Sequence, residues 1–308
     1  MTGVLLVNMG SPLSKKEMRQ FLFKMFTDKA ILPFPTVPRT LLAFIISTFR
    51  HGGSWKKYQQ IGGSKLKESM GLINAQLAAE LGAGYEVTSV YSYSKPSILQ
   101  GIEELRSKGI TAIKVITMYP HSAFSTTESV KADLDRVQKK YPELKITELG
   151  TYGDKEWFIN YWVDIIQKTI DKQNYKTPTL LFSAHAIPQY NVDAGDTYVD
   201  EINTSAKLIS TKLGLPYRVS FQSKIGKVKW VDPDAKDCLK GMKAENIDEI
   251  MLVPVSFVNE NLETAYDQGI EIIPYAKNEL GIENICRVEI PASHPLLIAT
   301  FKQLLTNA

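Results

Sequence analysis

The sequence of 308 residues contains only two cysteines, and their positions exclude several kinds of metal site. Cys238 and Cys286 lie far apart and form neither a CxxC pair nor a Cys/His cluster. No zinc or iron–sulfur site is therefore readable in the sequence. Unpaired thiols fit a reducing compartment, so we expect a cytoplasmic protein.

A strong excess of one charge is also missing. Lys and Arg total 36 against 33 Asp and Glu, and the basic residues are scattered along the chain. Proteins that bind nucleic acid usually concentrate Lys and Arg on one face. We therefore predict that nucleic acid is not a partner.

The sequence lacks the common phosphate-binding and hydrolytic motifs. It contains no GxGxxG, no Walker A loop, no HExxH and no GxSxG. These motifs place backbone amides, metal ligands or nucleophiles where nucleotide and acyl chemistry need them. Their absence argues against nucleotide chemistry.

No hydrophobic run is long enough to cross a bilayer. The most apolar segment, residues 21–50, is interrupted by Lys24, Asp28, Lys29 and Arg39, well short of the roughly 20 apolar residues that a span requires. It is nevertheless too apolar for an ordinary surface linker. It could rest on a membrane, form a lip around a large flat hydrophobic ligand, or fold as a buried helical hairpin.

Short apolar runs bounded by Gly, Pro or Ser recur along the chain, starting with "GVLLVNMG" at the N-terminus. We interpret this first run as a core strand and not as a signal peptide, because no basic region or cleavage site accompanies it. Amphipathic, charge-rich segments separate most of the runs. This alternation predicts an α/β doubly wound fold with mostly parallel strands.

One stretch of the sequence can be laid on another without gaps. "GITAIKVITMYPHSAFSTTES", residues 109–129, aligns with "NIDEIMLVPVSFVNENLETAY", residues 246–266, and pairs Ile113 with Ile250. Upstream, "GYEVTSV" matches "PYRVSFQ", and "GVLLVNMG" corresponds to "TLLFSAHA". Duplication explains this economically, and chance similarity between amphipathic segments is the alternative.

The repeat predicts two similar halves, residues 1–175 and 176–308, each with a parallel sheet flanked by helices. In open parallel sheets, ligands bind beyond the carboxyl ends of the strands. Two apposed halves would leave a central cleft there. We therefore expect the loops that follow the strands to carry the chemistry.

His185 in "LLFSAHAIP" lies where a buried strand is predicted to end. With an unperturbed pKa near 6.5, its imidazole can accept a proton or bind a metal ion at neutral pH. A histidine satisfied by backbone groups is the alternative, but the position at the expected cleft favours a functional role. His121 in "MYPHSAF" is a weaker candidate of the same kind.

Three carboxylates, Glu263, Asp267 and Glu271, follow one another at intervals of four residues. They share one face if a helix holds through Gly269, and like charges at this spacing repel. A metal ion or shared protons would offset the repulsion, which indicates a metal or proton path. A solvated acidic face is the alternative.

Seven stretches together resemble the ferrochelatase family and occur in the family's order over nearly the whole chain. The combination of SAH-x-x-P, QSK-x-G-x-x-x-W and LVP-x-x-F-x-x-x-x-x-E is specific. The resemblance implies two Rossmann-like halves around a porphyrin cleft, and a lyase that inserts ferrous iron into a porphyrin in haem biosynthesis. The stretches are "NMGSP", "YQQIGG", "YPHSAFSTTES", "LLFSAHAIP", "GDTYVDE", "FQSKIGKVKWVDP" and "FVNENLETAYD".

The resemblance also implies roles for individual residues. His185 would be the proton acceptor or metal ligand, Glu263 its acidic counterpart, and Asp267 and Glu271 further metal-handling residues. Residues 21–50 match the apolar lip that meets the membrane in related enzymes. Iron would be a substrate and no resident cofactor, including an iron–sulfur cluster, is expected. Residues at positions that contact the porphyrin in relatives are Met9, Tyr93, Ser125, Thr126, Trp230 and Asn261.

The chain departs from the family pattern at several positions. Relatives usually read D-H-x-E-T where this chain has Glu260 to Thr264, so Asn261 replaces a histidine. Ser92 stands in the place of an arginine, and "IGGSKL" replaces IGGGSP. Asparagine cannot take a proton near neutrality.

The leading prediction is a protoporphyrin ferrochelatase. There are three alternatives: insertion of another metal such as cobalt, coproporphyrin as the substrate, or a non-catalytic porphyrin or haem carrier. The oligomeric state stays open.

Overall fold

Eight strands form two four-stranded parallel sheets in the computed structural model, which describes residues 1–224, 226 and 228–307. Ile225 and Lys227, within the QSK stretch, lie outside the described residues. The strands are β1 Thr2–Asn8, β2 Tyr85–Tyr91, β3 Ala112–Thr117, β4 Lys145–Glu148, β5 Thr179–His185, β6 Tyr217–Gln222, β7 Glu249–Val253 and β8 Asn284–Arg287.

Helices connect the strands, and a π-helical segment, Glu263–Ile272, leads directly into α10. A short 3-10 turn, Gly82–Gly84, precedes β2. The α-helices are α1 Lys15–Thr27, α2 Thr36–Gln60, α3 Leu66–Leu81, α4 Ile98–Ser107, α5 Thr127–Lys140, α6 Glu156–Gln173, α7 Gln189–Asp193, α8 Tyr198–Leu213, α9 Ala235–Ala244, α10 Ile273–Asn278 and α11 Pro295–Thr306.

The first sheet has the strand order β2-β1-β3-β4. Its inner strand β1 carries an uninterrupted apolar run, Val4 to Val7, that is fully buried, as expected for a parallel strand covered on both faces. Helix α4 begins with a capping box in which Ser97 and Gln100 each bond the other's backbone amide. The core formed by these elements includes Leu5, Val7, Ile102, Ile113 and Val115.

The second sheet has the order β6-β5-β7-β8. This is the same arrangement as in the first sheet, because β5 to β8 take the places of β1 to β4. Its buried core includes Leu181, Leu239, Ile250 and Leu252. The register agrees with the repeat found in the sequence, because Ile113 pairs with Gly3 and Ile250 pairs with Thr179, the equivalent residue of the other central strand. The predicted fold of two similar parallel-sheet halves is confirmed.

The chain divides into two units at positions that differ from the predicted boundary after residue 175. The first unit contains Met1–Tyr119, Ala123–Thr151 and the C-terminal segment from Ala292; the second contains Pro120–Ser122 and Tyr152–Pro291. Helix α6 belongs to the second unit because it packs on α8. Helix α11 returns to the first unit, where it packs on α3.

Residues 21–50 cover the second part of α1, a loop and the first part of α2, and the two helices pack against each other. This helical hairpin is only partly buried, since Val37 and Phe49 are each 80% exposed. Among the described residues, no helix combines the length and the hydropathy needed to cross a membrane.

Candidate active site

His185 is the last residue of β5 and lies half-buried at the carboxyl edge of the second sheet. Its Nδ1 is 2.7 Å from the backbone oxygen of Ala186. A carbonyl oxygen only accepts hydrogen bonds, so in the neutral ring Nδ1 carries the proton. The lone pair then lies on Nε2, which is the atom that can accept a proton or bind a metal ion.

The three predicted carboxylates all lie on the π-helical segment, which continues through Gly269. A π-helical turn closes by i→i+5 hydrogen bonds, so residues four apart lie just under one turn apart and share a side of the helix. Glu263 and Asp267 are half-buried, whereas Glu271 is exposed. The row therefore runs from the interior of the second unit toward solvent.

Gln222, the last residue of β6, links the strand ends to this helix. It is 2% exposed and stands opposite His185 in the sheet register. Its Oε1 accepts hydrogen bonds from Ser183 Oγ at 2.6 Å and from Gln268 Nε2 at 2.8 Å. Its Nε2 donates to the backbone oxygen of Glu263 at 3.1 Å. The strand end that carries the imidazole is thereby bonded to the start of the carboxylate row.

Of the two residues after Gln222, Ser223 also bonds the carboxylate row, whereas Lys224 forms an ion pair elsewhere. Ser223 has a φ of 67°, and its hydroxyl donates to Oδ2 of Asp267. Lys224 Nζ lies 2.6 Å from Oδ1 of Asp232. Gln222, Ser223 and Lys224 form the QSK motif, which in the sequence indicates only the family resemblance and assigns no role to its three residues. The motif is the signal from which these residues could be found.

Asn261 caps the helix that carries Glu263. Its Oδ1 accepts from the backbone amide of Thr264 at 2.9 Å, and the Asn261 amide donates to Thr264 Oγ1 at 3.0 Å. Thr264 also donates to Glu260 at 2.7 Å, and Glu260 is paired with Arg287 at 2.5 Å. Asparagine is among the preferred residues at a helix N-cap, so the fold gives Asn261 a local function.

These residues do not form a preassembled metal centre. Among the described residues, no group of three His, Cys, Asp or Glu side chains could hold a metal ion. The arrangement is instead one imidazole at the end of β5 and a row of separate carboxylates on the π-helical segment. The Gln222 side chain bonds both elements, through Ser183 of β5 and the backbone oxygen of Glu263.

The whole chain, residues 1–308, matches the protein-family model described as Ferrochelatase. The chain belongs to the ferrochelatase family. The ferrochelatase of Picosynechococcus sp. is 34% identical over 319 residues, which cover 99% of this chain and 82% of the relative. The ferrochelatase of Geotalea daltonii is 30% identical over 311 residues, which cover 99% and 97%.

Solved structures of chelatases share the fold of this ferrochelatase. SirB from Bacillus subtilis with Fe³⁺ superposes with a TM-score of 0.58 at 14% identity, covering 99% of this chain and 94% of the other. The sirohydrochlorin chelatase SirB from Bacillus subtilis subspecies spizizenii, in complex with cobalt, gives 0.62 at 12% identity over the same shares. At these identities the likeness concerns the fold alone.

Family membership confirms the enzyme class that the sequence predicts. This ferrochelatase inserts ferrous iron into a porphyrin in haem biosynthesis, and both are its substrates. The positions of individual residues bear on how it does so.

Trp230 lies beside the loop that follows His185. It forms an antiparallel bridge with Pro188. On either side of this bridge, the Gln189 amide donates to the backbone oxygen of Lys229 at 2.8 Å, and the Val231 amide donates to that of Ile187 at 3.1 Å. The structure therefore brings Trp230 to the same end of the second sheet as His185.

Met9 and Tyr93 lie together in the first unit. The Tyr93 amide donates to the backbone oxygen of Met9 at 3.0 Å, and its hydroxyl donates to Asp28 Oδ2 at 2.8 Å. Burial, together with the carboxylate of Asp28, raises the pKa of Tyr93 well above its usual value. Tyr93 is 7% exposed, so little of its surface is open to a ligand, whereas Met9 is half-buried.

Ser125 and Thr126 form the turn that starts helix α5 and are both half-buried. The Thr126 amide bonds the backbone oxygen of Ala123 at 3.0 Å. They occupy the loop after β3, as the repeat predicts, because Thr126 and Glu263 align in the two halves.

His121, the weaker histidine candidate, is a core residue. It is 2% exposed, and burial lowers its pKa to about 3, so the ring is neutral. Its Nε2 lies 2.8 Å from Ser205 Oγ, which donates its own proton to the backbone oxygen of Gly153 at 2.7 Å. Nε2 of His121 therefore carries the ring proton.

Proposed function

We propose that in this ferrochelatase His185 accepts the porphyrin N–H protons one after the other, passing the first on to water before it takes the second, and that Glu263 handles the incoming iron. The observation that supports this assignment is that β5, which carries His185, and the helix that carries Glu263 are both bonded to Gln222. Metal insertion exchanges two pyrrole protons for one ferrous ion, so the site needs a base and a route for a cation.

The tautomer of His185 supports its role as the base. The backbone bond at Nδ1 fixes the ring proton and leaves the basic lone pair on Nε2. A bent porphyrin presents its nitrogen lone pairs out of plane, and a neutral imidazole beside them can take the proton that leaves. His185 is half-buried, so the ring has access to a ligand.

The carboxylate row supports a route for the ion. We propose that iron meets Glu271 at the exposed end and then passes Asp267 to Glu263. Oxygen ligands suit hard divalent ions, and separated carboxylates bind such an ion less tightly than a closed cluster. Iron must leave these ligands for the ring, so loose binding is an advantage here.

The proposed porphyrin contacts, as the family resemblance implies, are Met9, Tyr93, Ser125, Thr126 and Trp230. For Asn261 we propose a different contribution from the histidine of relatives, since its side-chain oxygen is already bonded to Thr264. Iron is the substrate in this proposal, with no resident cofactor.

We propose protoporphyrin as the preferred porphyrin and peripheral contact of the cytoplasmic enzyme with the membrane. The α1–α2 hairpin exposes Val37, Leu41, Phe44 and Phe49, at 52 to 80%. Lys16, Arg19 and Lys24 line the groove beside Phe44, so cations flank the apolar face. Apolar side chains flanked by basic ones favour a membrane surface with anionic lipids.

The proposal is tested by anaerobic incubation of the purified enzyme with ferrous iron and either protoporphyrin or coproporphyrin, followed by the porphyrin absorption bands. We expect faster collapse to the metalloporphyrin spectrum with protoporphyrin. A faster reaction with coproporphyrin contradicts the substrate assignment, and a bound but unmetallated porphyrin supports the carrier alternative. Sedimentation with anionic vesicles, compared with the Phe49→Ser variant, tests the membrane contact.

A further inference from the structure

Gln222 makes hydrogen bonds with all the polar groups of its side-chain amide. Two donors, Ser183 Oγ and Gln268 Nε2, converge on its Oε1. This fixes the orientation of the amide and turns Nε2 toward the backbone oxygen of Glu263. Ser183 and Gln268 are fully buried, so the network has little freedom to rearrange.

Ser223 places its hydroxyl on the next carboxylate of the row. Its φ of 67° lies in the left-handed region, which a serine adopts only at a conformational cost. In this conformation the hydroxyl donates to Asp267 Oδ2, in the middle of the row. A hydrogen bond to a charged group is stronger than one between neutral groups and offsets this cost.

Gln222, the last residue of β6, and Ser223, the residue directly after it, therefore hold two consecutive carboxylates of the row. Gln222 is bonded to the backbone of Glu263, and Ser223 is bonded to the side chain of Asp267. Because β6 pairs with β5, Gln222 also stands opposite His185. The position of the base and the positions of both inner carboxylates are set from the same pair of strands.

We infer that Gln222 and Ser223 are positioning residues for metal delivery, an inference that rests on the proposed roles of Glu263 and Asp267. Gln222 sets how close the start of the π-helical segment lies to the strand that carries His185. Ser223 holds the Asp267 carboxylate in one orientation. Neither residue is a proton acceptor or a metal ligand in this account.

The test uses Ser223→Ala, which removes only the side-chain oxygen at a half-buried position. Ser220→Ala is the matched control, because Ser220 is a buried serine of β6 whose hydroxyl donates to the backbone oxygen of Phe182 at 3.2 Å, away from the carboxylates. Steady-state rates are measured with iron varied at saturating porphyrin, and then with porphyrin varied at saturating iron.

For Ser223→Ala we expect KM for ferrous iron to rise about tenfold, the effect of losing one hydrogen bond to a charged group. KM for porphyrin should stay within twofold, and Ser220→Ala should leave both values unchanged. Equal iron KM values for the two variants, or a joint rise of both KM values in Ser223→Ala, would overturn the inference. A general loss of folded enzyme would lower the apparent kcat and leave both KM values unchanged, so it cannot be mistaken for either result.

Calorimetric titration of the porphyrin-free enzyme with zinc gives a measurement that does not require turnover. We expect weaker zinc binding to Ser223→Ala than to Ser220→Ala. Equal affinities, or no binding to the unaltered enzyme, count against the inference. If the enzyme binds zinc in the expected order but does not metallate porphyrin, the proposed function fails and the positioning role stands.

Gln222→Met is the second variant, with similar volume and no amide. It leaves Ser183 and Gln268 without their acceptor, so a lower melting temperature is expected as well. The informative quantity is kcat of the folded fraction, which should fall more than tenfold because Glu263 is no longer held. A kcat equal to that of the unaltered enzyme would show that Gln222 acts only on stability.

Discussion

Asn261 and Thr264 each bond the other's backbone amide through the side chain, at 2.9 Å and 3.0 Å, and so start the helix of the acidic row. This reciprocal arrangement resembles a capping box, with Thr264 in the place of the usual Glu or Gln. The resemblance to the family motif implies a histidine at the position of Asn261. The replacement removes a group that titrates near neutrality and supplies a preferred N-cap residue.

Loss of this cap should cost stability. We expect Asn261→Ala to lower the free energy of unfolding by about 1 kcal/mol. Asn261→Asp keeps an acceptor oxygen and should stay close to the unaltered protein. Urea denaturation of the two variants checks this, and an alanine variant as stable as the aspartate variant would show that the cap contributes nothing.

The carboxylates should differ in importance along the row. Glu263→Gln is expected to reduce kcat by at least a hundredfold, because the half-buried Glu263 is nearest to the Gln222 network. Glu271→Gln, at the exposed end, should mainly raise KM for iron, by a few fold. Steady-state kinetics with iron varied measures both effects. Small and equal effects of the two substitutions would mean that the row is only a solvated acidic face.

Burial of His121 should make stability depend on pH. Its pKa of about 3 in the folded protein lies below the value near 6.5 expected in the unfolded chain. The unfolded state therefore binds the extra proton first as pH falls. The stabilisation is complete above about pH 6.5 and is lost between there and pH 3, at up to ~1.4 kcal/mol per pH unit.

The measurement is urea unfolding of the unaltered protein and of His121→Gln at pH 7, 6 and 5. Stability of the unaltered protein should fall more steeply with decreasing pH than that of the variant. His51→Gln, which removes a histidine on α2 that bonds backbone oxygens, is the control and should keep the steep dependence. Parallel curves for all three proteins would refute the role assigned to His121.

Gly153 has no room for a side chain. A Cβ there would lie 2.5 Å from the ring of His121, so Gly153→Ala should destabilise the protein by about 1–3 kcal/mol. Gly71 provides the opposite case, because it lies in α3 with nothing within 4 Å of an added Cβ. Gly71→Ala should stabilise by about 0.5–1 kcal/mol. Melting temperatures that shift in the same direction would contradict this account.

The parts of the fold that follow local patterns were predictable from the sequence. Strands such as β1 and β5 are continuous apolar runs, and the alignment of Ile113 with Ile250 anticipated the common strand order. The unit to which α11 belongs was not predictable, because an apolar helix face indicates that the helix packs against something but not against which unit. The boundary near residue 175 was placed by the repeat alone, which carries no information on how α6 packs.

At the site, sequence identified residue types that carry chemistry but not the residues that hold them. His185 and the carboxylate row stand out by residue type and spacing. Gln222 and Ser223 do not, because an amide or a hydroxyl is common and acquires a role only from its partners in the folded protein. The π-helical geometry also depends on that packing, since i→i+5 bonding has no strong signature in the sequence.

The central claim is that the imidazole of His185 accepts the porphyrin proton. The direct test is single-turnover metallation of protoporphyrin by ferrous iron, anaerobically, with the unaltered enzyme and with His185→Ala, alongside porphyrin affinity from fluorescence quenching. We predict metallation at least a thousandfold slower in the variant, with porphyrin affinity changed less than threefold. Metallation by His185→Ala at the rate of the unaltered enzyme would contradict the account.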